Sequence, residues 1–486
     1  MKTVMPLLLS DTYKQTHDRQ YPDSLNKLVS YWVPRKSMSE KQDKMVFFGL
    51  RAFIQEYLID GFKDFFDADL SVVLDEYHKY MDVQLGAGNY DDQKIIDLHT
   101  LGYLPLHLRA LPEGTWVNMG IPCIELTNTH PDFAWLVQWV ECLLQVELWQ
   151  PCCYATVGQM YKKLAKRFYD KTAVGADPAM AMSDFGMRGM SCLNDSIRTS
   201  ASWLLSFNKT STIPALKYID TYYDADVANT RIGMGAVSTE HSVMGANFAL
   251  DGDEVTFVKR LLTELYPDTS FSMVSDTYDY WNMIENILPA CKSEIMNHNG
   301  KLLVRPDSGD IVDISVTTVE KLWEIFGGSV NEKGYKVLDP HIGIIYGDGC
   351  TLSAVEEIWT KLELKGFAAN NILFGVGAFC FHGFFENNRL IVLTRDTFGI
   401  AMKAAYGEFG EKKLFIYKDP KTDTNKLKKS HKGCCAVSRN VDGTFECVDE
   451  HYGMVDEDST ELKTVFCDGI NYCTDTFADI RRRLND

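Results

Sequence analysis

The sequence predicts an α/β protein: an irregular β/α barrel of about seven parallel strands, with a mixed α/β domain formed by the N- and C-terminal segments. Three observations carry this expectation. Short apolar runs recur through the middle of the chain, each ends in a cluster of Gly, Asp or Arg, and helical-looking stretches separate them. Runs this short, bounded by turn residues, read as buried parallel strands. In such a barrel the loops after the strands share one face, where polar residues converge on a ligand.

Taken in order, residues 1–180 mix helix and strand patterns. Leu104 to Pro122 reads as a hairpin. Phe133 to Trp149 is very apolar, but Gln138, Glu141, Gln145 and Glu147 interrupt it, so it reads as a buried helix and not a membrane span. Residues 181–385 carry the barrel rhythm. Met-Ala-Met-Ser leads into Asp184-Phe185-Gly186, then comes Leu-Leu-Ser-Phe207, and Ala-Val-Ser-Thr leads into Glu240-His241. The four strongest units follow, ending in Asp276-Thr-Tyr-Asp279, Arg305-Pro-Asp307-Ser-Gly309, Gly347-Asp348-Gly349 and Gly375-Val-Gly377-Ala378. Residues 386–486 alternate strand-like runs with charged turns, end in the basic helix Ile480-Arg-Arg-Arg-Leu, and are expected to pack with the N-terminal segment.

Composition narrows the function. The 486 residues are 45% hydrophobic, ample for a sizeable core, and the net charge of −18 argues against a nucleic-acid-binding surface. Thirteen cysteines at irregular spacings, without paired CxxC motifs, read as reduced thiols of a cytoplasmic protein. The opening run Pro-Leu-Leu-Leu is too short for a signal peptide.

The strand-end residues suggest a phosphorylated sugar and its metal. Arg305 can donate to a ligand oxygen while Asp307 accepts from ribose hydroxyls. Asp279 and Asp348 on sibling loops repel one another unless a cation or polyol satisfies them. Gly375-Val-Gly377-Ala378 sits where the last barrel loops commonly bind phosphate through backbone N–H groups. His241 is either a core histidine or a nucleophile or acid/base on the rim. Arg395, Lys403 and the stretch holding Lys418, Lys426, Lys428, Lys429 and Lys432 are either a solvated face or the partners of a pyrophosphate.

Together these motifs resemble the nicotinamide phosphoribosyltransferase family, in the nicotinate/nicotinamide branch of the type II phosphoribosyltransferases. The resemblance runs from Leu-Ser-Asp11-Thr-Tyr13-Lys-Gln-Thr-His and Tyr31 to Arg35, through Pro-Glu-Gly, Asp184-Phe185-Gly186-x-Arg188-Gly189 and Glu240-His241-Ser242. It continues through Ser275-Asp-x-Tyr-Asp279, Arg305-Pro-Asp307-Ser-Gly and Gly347-Asp348-Gly349 to Thr394-Arg395-Asp396 and Lys418-Asp-Pro. It implies an enzyme that joins nicotinamide to phosphoribosyl pyrophosphate in NAD synthesis, working as a homodimer with active sites shared between subunits. Phe185 of one subunit and Tyr13 of the other would sandwich the pyridine, with Ser275 and Arg305 on its carboxamide. Asp307, Gly347 and Asp348 would hold the ribose, while Gly377, Ala378, Arg395 and Lys403 would meet the 5′-phosphate. Arg35, Arg188, Lys418 and Lys426 complete the phosphate and pyrophosphate contacts. Mg²⁺ would be held mainly by the donor pyrophosphate. His241 matches the family's phosphorylatable histidine, by which ATP hydrolysis assists the reaction.

Several positions depart from the family pattern. Ser211 stands where nicotinamide-specific members carry an aspartate, Ala378 replaces a glycine, Ala401 a serine and Gly343 an arginine, and residues 379–393 form a longer stretch. These leave three alternatives open: nicotinate as the base, pyrophosphorylated ADP-ribose as a donor giving NAD in one step, or a non-catalytic binding protein. Retention of Asp279, Arg305, Asp307 and His241 argues against the last.

Overall fold

The computed structural model describes residues 5–423 and 428–485, so Lys426 falls outside the described part. The chain forms two compact units. One, the sheet unit, comprises Met1–Thr156, Ile219–Ala225 and Leu393–Asp486; the other, the barrel unit, comprises Val157–Tyr218 and Asp226–Val392.

The barrel unit holds six parallel strands: β1 (Met182–Asp184), β2 (Val237–Ser238), β3 (Phe271–Val274), β4 (Leu302–Arg305), β5 (Ile342–Tyr346) and β6 (Ile372–Val376). Their order in the sheet is β1-β6-β5-β4-β3-β2. Two isolated parallel bridges, Asp184↔Thr210 and Lys209↔Met234, carry the pairing from β1 back to the segment just before β2. The ring therefore closes through a seam of single bridges rather than a seventh full strand, which is the irregular barrel the rhythm predicts. The apolar run ending at Phe207 is not that strand. Its Leu204 caps the C-terminal end of the helix Leu193–Trp203, and the pairing residues lie just beyond it, at 209 and 210.

Burial explains why these runs became strands. Every residue of β3 and β5 is buried, and each fully buried aliphatic side chain contributes roughly 1.5–3 kcal/mol. The helix Ile311–Phe326 illustrates the covering layer. Asp310 caps its start by accepting from the Val312 and Asp313 N–H groups, Gly327 (φ 74°) stops it, and Val312, Val316, Val319, Leu322 and Phe326 form its buried stripe. That stripe packs on β5.

In the sheet unit, seven strands run in the order Lys412–Phe415, Ala401–Phe409, Leu25–Val33, Ile124–Asn128, Leu106–Ala110, Lys463–Cys467 and Ile470–Asn471. N- and C-terminal segments thus share one antiparallel sheet. A buried polar set pins its centre: Arg109 Nε donates to Glu125 Oε1 at 2.6 Å and Tyr31 Oη to Glu125 Oε2 at 2.6 Å. The apolar stretch from Phe133 forms the buried helix Ala134–Trp139 and then enters Glu141–Thr172.

The expected hairpin at Leu104–Pro122 does not form. Leu106–Ala110 pairs with Ile124–Asn128 and Lys463–Cys467, whereas Thr115–Asn118 pairs with Lys44–Phe47. Pro112-Glu113-Gly114 is a corner between two sheets. Gly114 (φ 79°) leaves no room for a Cβ, which would lie 2.4 Å from the Ile480 carbonyl. Buried Glu113 accepts from the Gly49 and Arg51 N–H groups at 2.7 and 2.6 Å. Burial, opposed by those two N–H groups, pushes the Glu113 carboxyl up to about 7.

Candidate active site

A cavity of about 680 Å³ opens at the C-terminal ends of the barrel strands, lined among others by Phe185, Arg188, Lys209, Ser211, Arg305 and Asp307. Phe185 follows β1 directly. A Cβ on Gly375 would lie 2.1 Å from its ring, so the glycine exists to admit the aromatic. Asp184, fully buried below it, accepts from Ser200, Thr210 and Thr212 hydroxyls and from the Gly186 N–H. Its backbone carbonyl also accepts from the Ser211 N–H at 3.0 Å. One carboxylate thus fixes both the aromatic turn and the 209–212 wall, leaving Ser211 exposed toward the cavity.

The acidic corner is built on β3, β4 and β5. Arg305 donates through Nη2 to the Thr239 carbonyl at 2.8 Å and through Nη1 to Ser238, whose hydroxyl also bonds Ser272. Its Nε is buried without a hydrogen-bond partner, 3.8 Å from Asp307 Oδ1. Gly347 is the point of convergence. A Cβ there would lie 2.6 Å from Asp307 Oδ1, 3.6 Å from Arg305 Cδ and 3.7 Å from Phe185 Cε2. His241 opens the helix His241–Asp251; its Nδ1 is 3.1 Å from Thr277 Oγ1, and its Nε2 lies 4.0 Å from both Asp307 Oδ2 and Asp276 Oδ1. Burial, countered by Arg305 and reinforced by Asp276, pushes the Asp307 carboxyl above its ordinary range. Asp348 lines the same cavity and adds to that push.

At the far wall Gly377 and Ala378 line the cavity where β6 ends. A Cβ on Gly189 would lie 2.5 Å from Ala378 Cβ, so the Arg188-Gly189 turn packs directly on this loop. Gly343 is buried within β5 and is not a lining residue; a side chain there would run into Leu303, whose Cδ2 would be 2.9 Å away. The long 379–393 stretch folds into a short helix, Phe379–His382, and a hairpin, Gly383–Glu386 with Arg389–Val392.

Two expected residues are placed elsewhere. The Ser275 hydroxyl is buried and donates to the Met273 carbonyl at 2.7 Å, so it is spent on the backbone. Asp279 is exposed and caps the turn Tyr280–Asn282 by accepting from the Asn282 N–H. The aspartate that meets Asp307 from that loop, behind the cavity lining, is Asp276. Its Oδ2 accepts from the Asp307 N–H at 3.0 Å and from Ser308 Oγ, while its Oδ1 is buried without a hydrogen-bond partner. Lys209 was likewise missed as a site residue. It lines the cavity, burial holds its ammonium below the ordinary value, and no ion pair or hydrogen bond to its Nζ occurs among the described residues. A lysine two residues after an apolar run was the available signal.

The remaining expected residues belong to the sheet unit. Tyr13, 54% exposed, and Arg395 line one cavity of about 670 Å³. Arg35 and Lys403 line another of about 310 Å³ together with Ala401. Glu141 joins the two sets, accepting from Lys14 at 2.7 Å and from Lys403 at 2.9 Å. Burial disfavours the Glu141 carboxylate, but the two lysines win and hold it below the usual range. Arg395 donates to Gln145 Oε1 at 3.2 Å, and Arg35 Nε to the Gly399 carbonyl at 2.8 Å. Burial, and then Arg395, lowers the Arg35 guanidinium. Lys418 is exposed, its N–H donating to Ser430 Oγ.

Residues 180–443 match the nicotinate phosphoribosyltransferase (NAPRTase) family, and residues 6–78 match the N-terminal domain of nicotinamide phosphoribosyltransferase. The chain is 37% identical to a nicotinamide phosphoribosyltransferase of Acinetobacter baylyi, over 99% of this chain and 97% of that one. A protein of the same name from Mycoplasma pneumoniae is 30% identical over 86% of this chain and 93% of its own. In fold, the chain resembles the nicotinate-nucleotide pyrophosphorylase of Pyrococcus furiosus (TM-score 0.60, 14% identity, 100% of this chain and 96% of that one). It also resembles human nicotinic acid phosphoribosyltransferase (TM-score 0.55, 14% identity, 98% and 92%).

Proposed function

The chain belongs to the nicotinate phosphoribosyltransferase family, and on that premise we propose that it transfers phosphoribosyl from phosphoribosyl pyrophosphate to nicotinamide, giving nicotinamide mononucleotide and pyrophosphate. The observation that carries this is the convergence at Gly347 of an aromatic ring, a guanidinium stem and a carboxylate, all within 4 Å of one absent Cβ. A pyridine, a ribose and its hydroxyls need those three partners side by side.

The chemistry asks little covalent work of the protein. The C1–O bond of the donor breaks, pyrophosphate leaves with the electron pair, and the pyridine nitrogen's lone pair forms the C1–N bond. Phe185 stacks the base and holds its nitrogen toward C1, a positioning role. Asp307 accepts from the ribose hydroxyls, and Arg305 stands at the junction of ribose and base. Mg²⁺ would neutralise the departing pyrophosphate. The orphaned buried Asp276 Oδ1, with Asp307 and Asp348 on the same rim, fits a cation's hydration shell.

His241 fits phosphorylation by ATP. Its Nδ1 is engaged by Thr277, and its Nε2 faces two carboxylates that would steady a cationic ring. We assign the working form as a cytoplasmic homodimer in which Tyr13, Arg395 and Lys403 of a partner subunit complete the base and 5′-phosphate contacts. The exposure of Tyr13 supports this. The thirteen cysteines are all free, and no helix among the described residues is long and apolar enough to cross a membrane.

The alternatives are not favoured. Gly343 sits inside the strand wall instead of opening a channel for the adenosine of a larger donor, and the relatives are named for nicotinamide and phosphoribosyl transfer. Incubation with nicotinamide or nicotinate and each donor, with products identified by mass, tests the reading. Nicotinamide mononucleotide is expected, and direct NAD formation would overturn the donor assignment.

A further inference from the structure

Just beyond the lysine-rich stretch, the hairpin Cys434–Arg439 with Phe445–His451 and the loop before it carry an unassigned cluster within the sheet unit. His431 Nδ1, Cys435 Sγ and Cys447 Sγ all lie within 4.8 Å of one another, and the His431 Nδ1 to Cys447 Sγ distance is 3.9 Å. Asp449 Oδ2 lies 3.4 Å from the same His431 nitrogen. The ladder slips between Cys434 and Ala436, where Asp449 and Glu450 stand opposite the single Cys435, so the extra residue belongs to the strand that carries Asp449.

The surroundings select which atoms face inward. His431 Nε2 is 3.0 Å from the Gly120 carbonyl, which can only accept; Nε2 therefore carries the proton and Nδ1 offers its lone pair to the thiols. The Lys432 N–H, at 3.1 Å, orients Asp449 Oδ2. Metal–sulfur bonds of about 2.3 Å and metal–nitrogen or –oxygen bonds of about 2.0–2.2 Å put neighbouring ligands of a tetrahedron roughly 3.4–3.8 Å apart. The 3.4 and 3.9 Å separations bracket that spacing.

We propose that His431, Cys435 and Cys447 form the core of a site for a soft divalent cation of the zinc class, with Asp449, whose carboxylate lies against the same imidazole, turning in as the fourth ligand. Two sulfurs and an imidazole exclude Mg²⁺ and Ca²⁺ in favour of zinc-like ions. Binding releases the thiol protons and ties the loop at His431 to the hairpin. His431 and Asp449 also line the small cavity that holds Arg35 and Lys403, so the ion would brace one wall of that cationic pocket. Asp449, with its side chain 39% exposed, leaves an entry path.

The test uses the full chain expressed with added zinc and purified without chelator. Metal analysis should find about one zinc per chain, and Co²⁺ substitution should give a thiolate-to-cobalt charge-transfer band. Cys447→Ser and His431→Gln should each lower zinc affinity at least tenfold, while Cys473→Ser, a thiol outside the cluster, should not. Three results would overturn the site: no zinc or cobalt bound at micromolar free metal, unchanged binding in Cys447→Ser, or a Cys435–Cys447 disulfide by mass. Should Cys447→Ser misfold, Asp449→Asn gives a second reading, since loss of one carboxylate ligand must weaken binding in a folded protein.

Discussion

At the barrel cavity and directly behind its wall, three polar atoms have no hydrogen-bonding partner among the described residues: Asp276 Oδ1, Arg305 Nε and the Lys209 ammonium. In the sheet unit the principal cations are instead paired, Lys14 and Lys403 on Glu141 and Arg395 on Gln145. The first region stores unmet bonding capacity that a ligand can satisfy. The second holds its charges ready but neutralised, so an anion must compete with Glu141 for them. A folded chain tolerates the unpaired set because the scaffold around it is well bonded: Asp184 accepts from three hydroxyls, and the Arg305 Nη1 is tied to the Ser238–Ser272 pair.

The comparison predicts opposite outcomes for removing a charge in each region. Asp307→Asn should lower kcat/KM by about 10²–10³-fold without loss of stability. Because the folded carboxyl titrates above its ordinary range, the parent loses stability as pH rises past about 3.9, a loss the amide avoids. Steady-state kinetics alongside thermal melts at pH 7 check both halves; a folded variant with near-parental kcat/KM would remove Asp307 from the ribose. Glu141→Gln should do the reverse, destabilising by about 1–3 kcal/mol because it strands buried Lys14. Its carboxyl titrates below the ordinary value, so that stabilisation is present above pH about 4 and fades as pH falls further. Urea melts at pH 7 and pH 3.5 should show the gap close.

Two smaller substitutions sharpen the contrast within the cavity. Ser211→Asp should shift the nicotinamide-to-nicotinate kcat/KM ratio toward the amide by about tenfold, since a carboxylate accepts from an amide and repels an acid. An unchanged ratio would place the base elsewhere. Lys209→Met should stabilise the free enzyme by under about 1 kcal/mol by removing a desolvated, unpaired ammonium. Its folded value is lowered, so the advantage is complete at neutral pH and shrinks as pH rises toward about 10.4. Melts across pH 7–10.5 measure it, and a variant less stable than the parent would mean Lys209 has a partner.

Much of this was legible in the sequence for a physical reason: short apolar runs that end in turn residues and are separated by helices are readily buried as parallel strands, which is how β1 and β3 to β6 declared themselves, although the similar run at Phe207 closes a helix instead. The rim residues Phe185, Arg305, Asp307, Gly347 and Asp348 followed from those strand ends. What failed depended on partners remote in sequence. Nothing local says that the corner at Pro112 sends its two strands to different sheets, a choice set by Gly49, Arg51 and Ile480. Nor could the spacing tell Asp276 from Asp279, three residues apart, because one faces Asp307 and the other caps a helical turn. Ser275 looked available until the Met273 carbonyl was seen to claim it.

The seam that closes the barrel bears on how such an enzyme changes its diet. Lys209 and Ser211 sit where pairing is reduced to two isolated bridges and one buried carboxylate, so their side chains are not knitted into a ladder whose register must be kept. On the proposed role of Ser211, substrate preference would be written on the stretch of wall that is cheapest to rewrite. With the base read at Ser211 as proposed, a lineage could drift between an amide and an acid there while Asp184 keeps the wall in place, which would separate the history of specificity from the history of the fold.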